Sequence, residues 1–217
     1  MTRNRRIATI LTVGVLAVGG VAAAGPVIAD SGGTPAPASH QGMHRTSEPA
    51  HRHGGLGDDA PCTRTALAGQ GTLTAARKDT LAGMAEEEKL AHDLYTAFAE
   101  RYDVRIFDRI AAAETQHLTA VRTLLHRYDV GDPTTGLPAG EFADQAVQAT
   151  YDRLLKQGEG SLDAALKAGR TVETDDVAAL TKALSGLTAP DARQVYTHLR
   201  TASERHLSAF ERSIADE

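Results

Sequence analysis

From Arg77 onward, apolar residues recur alternately three and four positions apart, which is the spacing of one face of an α-helix. This periodicity predicts four long helices, over about 77–102, 106–128, 161–185 and 190–214. A shorter helix is predicted over about 142–157, after a connection rich in glycine and proline. Ser161 and Pro190 fit the starts of the third and fourth long helices, as an N-cap and as a first-turn residue.

The order of the predicted helices also predicts how they connect. Short links join the first long helix to the second and the third to the fourth, so each pair forms an antiparallel hairpin. The link between the hairpins is long, and one long crossover is the ferritin-like connectivity. Residues 76–217 are therefore expected to be all-α, a ferritin-like four-helix bundle of two antiparallel hairpins with a long crossover carrying a short extra helix. Aromatic residues make up only 4% of the chain, which also favours helix over sheet.

Residues 1–29 have the pattern of a signal peptide. Arg3 and Arg5 belong to a basic segment ahead of an apolar run over 7–24, and the best cleavage position follows Ala29. These features predict a secreted or extracytoplasmic protein with a cleaved signal peptide. The alternative is an uncleaved membrane anchor, because the apolar run approaches the ~20 residues that a membrane span needs.

Residues 30–75 are rich in Gly, Pro, Ser, Ala and His and have no apolar period, which predicts a disordered linker. This linker contains four of the nine histidines of the chain, His40, His44, His51 and His53. Loose metal capture is one interpretation of these histidines, and a merely polar linker is the favoured one. Cys62 is the only cysteine, so it cannot form an internal disulfide and is interpreted as incidental or intermolecular.

The most informative feature of the helical part is a set of polar residues inside its apolar stripes. The formal net charge of −5 gives no basic surface that would predict a nucleic-acid partner. The polar positions fall near the middle of each stripe, and in chain order they are Glu88, then Glu114 and His117, then Glu173 and Asp176, then Ser203 and His206.

These polar positions are expected to meet at similar heights in the antiparallel hairpins. Glu88 lies 15 residues before the predicted turn at Asp103, and Glu114 lies 11 residues after it. At a rise of about 1.5 Å per residue, the two glutamates differ in height by roughly one helical turn. Glu114 and His117 are three positions apart, so both side chains can point the same way.

Carboxylates in a helical core need a compensating charge. A buried carboxylate is costly unless it is paired, protonated or bound to metal, and four in one core would also repel one another. Two divalent cations would balance four carboxylates, and two neutral imidazoles would complete the ligand set. Carboxylates with imidazoles suit iron, manganese or zinc. The predicted metal ligands are Glu88, Glu114, His117, Glu173, Asp176 and His206.

Two questions stay open at the level of single residues. If the stripes are misread by one position, the polar groups face solvent and Glu86-Glu87-Glu88 is only a solvated acidic run. Tyr95 lies on the first stripe, where it either donates a hydrogen bond to a ligand carboxylate or simply fills the core.

At these residues the chain resembles the ferritin-like superfamily, rubrerythrins especially. Glu88, Ala91 and Tyr95 have the spacing of the family's first helix, and Glu114-Thr-Gln-His117 is similar to its second-helix Glu-x-x-His. The stretch from about Leu81 to Ile214 looks closer still to an uncharacterised bacterial family of the DUF2202 type, through the local signatures at 87–91, 172–177 and 206–210. The resemblance implies a two-metal, di-iron centre, and it implies no known reaction.

The chain departs from the superfamily pattern on the fourth long helix. Ser203 stands where a second bridging carboxylate is expected, beside the predicted ligand His206. Asp176, one turn after Glu173, is expected to supply the missing oxygen ligand instead. A rubrerythrin would also carry a cysteine-based one-iron module, which a chain with Cys62 alone cannot form.

Three functions are compatible with these residues. The first is an exported metal-dependent oxidoreductase that reduces oxygen or peroxide and receives electrons from an external donor. The second is a metal-binding or sequestering protein without turnover, and the third is a metal-free helical interaction module. The sequence leaves the metal, the substrate and a homo-oligomeric state open.

Overall fold

The computed structural model describes residues 66–217, which fold into five helices without a β-strand in that range. The helices are α1 (Ala75–Tyr102), α2 (Arg105–Arg127), α3 (Gln145–Gly158), α4 (Leu162–Leu184) and α5 (Pro190–Ala215). The expectation of an all-α domain is therefore confirmed. The predicted signal peptide, the four linker histidines and Cys62 lie outside the described residues. None of the helices within 66–217 combines the length and apolar content that a membrane span requires.

Local hydrogen bonds explain where several helices begin. The Thr74 side chain accepts a hydrogen bond from Arg77 N, and the Ser161 side chain accepts one from Ala164 N, so each satisfies a free N–H of the first turn. Asp144 caps α3 in the same way. Helix α3 therefore begins at Gln145, later than the predicted start at about 142, because Asp144 caps its first turn.

The four long helices pack as two pairs. Helix α1 packs along α2, and α4 packs along α5, while contacts between α1 and α4 and between α2 and α5 bring the two pairs together. The shorter helix α3 packs on α1 and α4. Side chains from both pairs therefore share one interior.

Two clusters of buried apolar residues fill this interior. One contains Leu81, Leu124 and Leu199, and the other contains Phe98, Phe107 and Phe210. On α2 the buried apolar residues within 107–111 belong to the second cluster and those within 118–125 to the first. The polar positions of α2 lie between these two stretches, so the polar residues divide the apolar core.

Residues of α1 hold the long crossover between α2 and α3. Glu86 Oε1 accepts hydrogen bonds from the backbone N–H groups of Ala143 and Asp144, at 2.8 and 2.9 Å. Lys89 forms a buried ion pair with Asp93 and donates to the carbonyl oxygen of Pro138 at 2.8 Å. Hydrogen bonds thus fix the crossover to α1, the helix that also carries Glu88.

Candidate metal centre

The core brings five of the predicted site residues into two overlapping groups of three. Potential ligand atoms within each group all lie within 4.8 Å of one another, and Glu114 belongs to both groups. The first group is Glu88, Glu114 and His117, and the second is Glu114, Glu173 and His206. All five side chains are buried, with Glu173 fully buried and His206 5% exposed. The alternative that these residues face solvent is therefore excluded by their burial.

Glu114 occupies the middle of the site. Its Oε2 lies 2.6 Å from His117 Nδ1, and its Oε1 lies 3.0 Å from His206 Nδ1. The two imidazole rings stack, with centroids 5.6 Å apart and planes 23° apart. Glu88 Oε2 is 3.4 Å from His117 Nδ1, and Glu173 Oε1 is 3.6 Å from His206 Nδ1. Each half of the site thus has one imidazole, one carboxylate of its own and one oxygen of Glu114.

Burial and the neighbouring charges raise the pKa of some of these groups and lower the pKa of others. Burial raises the pKa of Glu88 to about 8, although His117 acts to lower it. Burial also opposes ionisation of Glu114, but the charges and hydrogen bonds of His117 and His206 outweigh it and lower the pKa of Glu114. The pKa of His117 is raised well above its usual value, because Glu114 overcomes the effect of burial. In the metal-free protein these shifts favour a protonated Glu88 and a protonated His117 beside an ionised Glu114.

Some buried polar atoms of the site have no hydrogen-bond partner. Two such atoms are His117 Nε2 and Glu173 Oε2, which have no hydrogen-bond partner among residues 66–217. A buried polar atom without a partner costs about 1–3 kcal/mol, so native proteins rarely keep one without a reason. Cation binding supplies such a reason here, because imidazole nitrogens and carboxylate oxygens are the donors that first-row transition metals accept. The residues present therefore fit a metal centre.

Tyr95 supports the carboxylate of the second group. Its hydroxyl donates a 2.7 Å hydrogen bond to Glu173 Oε1 and lies 3.3 Å from the carbonyl oxygen of Gly169. The ring is fully buried and packs on Phe210, with centroids 5.3 Å apart. Tyr95 thus does both things that its place in the stripe allows, since it fills the core and orients Glu173.

The other predicted residues of the site lie beside the two groups. Ser203 is buried on α5, and its neighbour Glu204 is exposed, so α5 contributes no carboxylate to the groups. Asp176 is 9% exposed and lies outside both groups of three. Burial raises the pKa of Asp176 well above its usual value, and the charges of Glu173, Glu88 and other acids add to this effect. Its direct ligation of a metal stays a prediction.

The three consecutive glutamates of α1 have three different surroundings. Glu86 binds the crossover backbone, and Glu88 belongs to the first group. Glu87 is only partly exposed, and its Oε2 is buried without a hydrogen-bond partner among the described residues. Sequence reasoning did not select Glu87, because it lies off the apolar stripe. The signal that could have found it is the adjacent pair of acids Asp175 and Asp176 on α4, the helix that packs on α1.

Comparison with known proteins identifies relatives of the helical domain. The family model described as "Uncharacterized protein domain (DUF2202)" matches residues 77–217. The uncharacterized protein MJ0754 of Methanocaldococcus jannaschii is 36% identical over 137 residues, which are 63% of this chain and 74% of that protein. The crystal structure of the hypothetical protein MJ0754 from Methanococcus jannaschii superposes with a TM-score of 0.66 at 34% identity. That superposition covers 70% of this chain and 86% of the other.

Proposed function

The chain belongs to the family described as an uncharacterized protein domain (DUF2202), and on that premise we propose that its helical domain is a ferritin-like metalloprotein that binds two divalent metal ions. The ligands would come from the five buried residues of the two groups. Iron is the metal we propose, and manganese and zinc are ions that the same donors would accept.

The observation that carries this proposal is the position of Glu114. Its two oxygens lie near two different imidazoles, those of His117 and His206. A carboxylate in that position would be available as a ligand to an ion in either group. Glu88 would add an oxygen on the first side, and Glu173 would add one on the second.

The charge balance also supports two ions rather than one. As ionised ligands, Glu88, Glu114 and Glu173 would bring three negative charges into a buried site, and their mutual repulsion would be costly in a medium of low dielectric constant. A single divalent ion would leave one of these charges uncompensated. Two divalent ions would compensate all three, and the nearby carboxylate of Asp176 would offset the excess positive charge.

The arrangement of helices is compatible with the ferritin-like connectivity. The chain forms one pair from α1 and α2 and another from α4 and α5, and α3 lies within the long connection between them. Ferritin-like di-metal sites take carboxylates and Glu-x-x-His motifs from facing helices of such a bundle. The ligands proposed for this chain come from α1, α2, α4 and α5 in the same manner.

When bound, iron in such a centre would supply the electrons for reduction of dioxygen or peroxide, and an external donor would have to restore them. The residues of the chain would prepare the site for this activity. Tyr95 holds Glu173 Oε1 in place, which fixes one oxygen ligand before a metal arrives. The buried apolar clusters on either side exclude water, so the electrostatic interactions inside the site are strong.

A second candidate function is metal binding without turnover. The observation that favours it is Ser203, which stands where the superfamily pattern has a second bridging carboxylate. With one shared carboxylate instead of two, this chain would offer the two ions fewer oxygen ligands than the superfamily pattern does. Such a protein would still bind zinc or manganese tightly, and it would consume no peroxide.

Metal content of the full chain tests the proposed function. We expect two ions per chain after loading with Fe²⁺ under anaerobic conditions, measured by elemental analysis and by calorimetric titration. The double variant E114Q/H117A should bind none, because it removes the shared carboxylate and one imidazole. The matched control is E204Q, which changes an exposed glutamate of α5 and should still bind two ions.

Peroxide consumption then separates the two candidate functions. The iron-loaded chain with an electron donor should consume peroxide at a rate proportional to its iron content, and the double variant should not. Tight zinc binding without peroxide consumption would select the non-catalytic function. If the wild-type chain binds no divalent ion and the substitutions leave its thermal stability unchanged, the proposal is wrong and a metal-free interaction module is the better conclusion.

We also propose that the chain is exported. The basic segment, apolar run and small residues within 1–29 support this proposal. Expression of the full chain in a bacterial host should give an extracytoplasmic product that begins at Asp30, as determined by N-terminal sequencing. A cytoplasmic product that retains Met1 would contradict export, and a membrane-bound product that retains it would indicate the anchor.

A further inference from the structure

Three acids beside the candidate metal centre belong to neither group of ligands. They are Glu87 on α1 and the adjacent pair Asp175 and Asp176 on α4, and these two helices pack on each other. Their burial increases along the series, because Asp175 is exposed, Glu87 is partly exposed and Asp176 is 9% exposed. The ligands Glu88 and Glu173 of the same two helices are more deeply buried still.

Glu87 is more than a solvated surface acid. Its Oε2 is buried and has no hydrogen-bond partner among residues 66–217. A carboxylate oxygen in such surroundings interacts more favourably with a cation than a fully hydrated oxygen does. Burial removes its water, and no hydrogen-bond donor of the protein replaces that water.

Asp176 connects Glu87 with the ligands. After burial, the strongest influences on its carboxylate are the negative charges of Glu173, Glu88 and Glu87, in that order. On α4, Asp176 lies one turn after the ligand Glu173, so the two side chains share a face of the helix, and this helix packs on α1, which carries Glu88 and Glu87. At the outer end, burial raises the pKa of Asp175, and the positive charge of Arg153 on α3 partly offsets this effect. Acidic groups thus continue from the surface to the centre.

We propose that Asp175, Glu87 and Asp176 form a loading path, along which divalent cations move between solvent and the centre through the contact of α1 and α4. This inference rests on the proposed metal binding. A divalent cation loses favourable hydration when it enters a protein interior, and carboxylates placed at intervals replace that hydration. The three path residues are all carboxylates and include no imidazole. They would therefore bind a transition-metal ion more weakly than the centre does, so that the ion can pass on to the centre.

Rates of metal binding distinguish a path from a ligand set. A path residue changes the barrier between solvent and the centre, so its loss slows binding and release by the same factor and leaves the dissociation constant unchanged. A ligand changes the dissociation constant instead. We expect D175N and E87Q each to slow Co²⁺ uptake by the full chain about tenfold, with two ions still bound at equilibrium.

Stopped-flow absorbance of Co²⁺ binding, and of Co²⁺ release to a chelator, measures both rates. The matched control is E204Q, which removes one negative charge from an exposed position of α5 and should bind Co²⁺ at the wild-type rate. Because Asp175 is exposed, D175N is expected to fold as the wild type does, so it tests the path even if E87Q perturbs folding, which circular dichroism would reveal. Uptake by the wild type should also slow as ionic strength rises.

Several outcomes would overturn this inference without affecting the proposed function. They are wild-type rates in both D175N and E87Q, equal slowing in E204Q, or a third ion that is bound at equilibrium and lost in E87Q. A fall from two ions to one in D176N would make Asp176 a ligand, as the sequence predicts, and would remove it from the path. If the wild type binds no Co²⁺ at all, the proposed function fails first.

Discussion

Glu114 is the residue on which the geometry of the site depends. It is almost fully buried, and both of its oxygens face imidazoles, whereas Glu88 and Glu173 each belong to one group only. This difference between a shared and an unshared carboxylate cannot be read from burial alone, since all three glutamates are buried. It gives the single substitutions different expected effects.

The substitutions E88Q and E173Q should each remove one metal ion and leave the other. A glutamine lacks the negative charge that one half of the site contributes, while the other half keeps its carboxylate, its imidazole and an oxygen of Glu114. Calorimetric titration with Zn²⁺ should give one ion per chain for each variant. Retention of two ions in either variant would show that the substituted residue is dispensable as a ligand.

The substitution Y95F tests the role of the hydroxyl that binds Glu173. It should weaken the affinity for one of the two ions by about 10–100-fold and keep the total at two, because Glu173 loses an orienting donor and remains a ligand. The control is Y102F, since the Tyr102 hydroxyl donates to the carbonyl oxygen of Gly158, outside the site. Equal affinities in Y95F and the wild type would mean that Tyr95 only fills the core.

At the scale of elements, a close approach of α5 to α4 fixes the second half of the site. A Cβ at Gly169 would lie 2.6 Å from the ring of Phe210, which is fully buried one turn beyond His206. The same glycine offers its carbonyl oxygen to Tyr95. The absence of a side chain at Gly169 therefore lets the aromatic residues pack directly above Glu173 and His206.

The substitution G169A should destabilise the domain by about 1–3 kcal/mol, because the buried ring of Phe210 must move to accept the methyl group. The matched control is G83A on α1, where a Cβ would meet nothing within 4 Å. G83A should stabilise the domain by up to ~1 kcal/mol, since alanine favours a helix more than glycine does. Thermal unfolding of the metal-free chains measures both effects. A destabilising G83A or a neutral G169A would contradict the packing argument.

At the scale of the whole molecule, the buried acids make the metal-free protein sensitive to pH. Burial raises the pKa of Glu88 from 4.5 to about 8 and that of Glu87 from 4.5 to about 7. The pKa of His117 is also raised above 6.5, through Glu114. Between pH 5 and pH 8 the folded chain therefore binds more protons at these groups than the unfolded chain does.

The free energy of unfolding of the metal-free chain should consequently fall as pH rises from 5 to 8. Glu114 acts oppositely, because its lowered pKa gives stability that is lost only when pH falls below the usual range of a glutamate. Bound metal should reverse the trend, since metal replaces protons and binds more tightly as pH rises. Chemical unfolding across this pH range, with a chelator and with Zn²⁺, measures both slopes. A stability that rises with pH in the presence of chelator would contradict the prediction.

Within the described residues, the sequence by itself determined the number and type of the helices and the stripes of residues that face inward. The backbone repeat of 3.6 residues per turn makes Glu114 and His117 share a face in any α-helix, and it makes Glu204 point away from its neighbour Ser203. The caps at Thr74, Asp144 and Ser161 are local as well, because each involves residues at most three positions apart. For these features the periodicity and the local chemistry of the chain are sufficient.

Only the tertiary structure decided which carboxylate is shared and which acids lie aside. The distances from Glu114 to His117 and His206, the place of Asp176 outside both groups and the burial of Glu87 depend on how far apart the helices lie and how each is rotated. A rotation of α4 by one residue, about 100°, would exchange the environments of Asp175 and Asp176. Such rotations follow from packing among α1, α3, α4 and α5, and the periodicity of a single helix does not encode them.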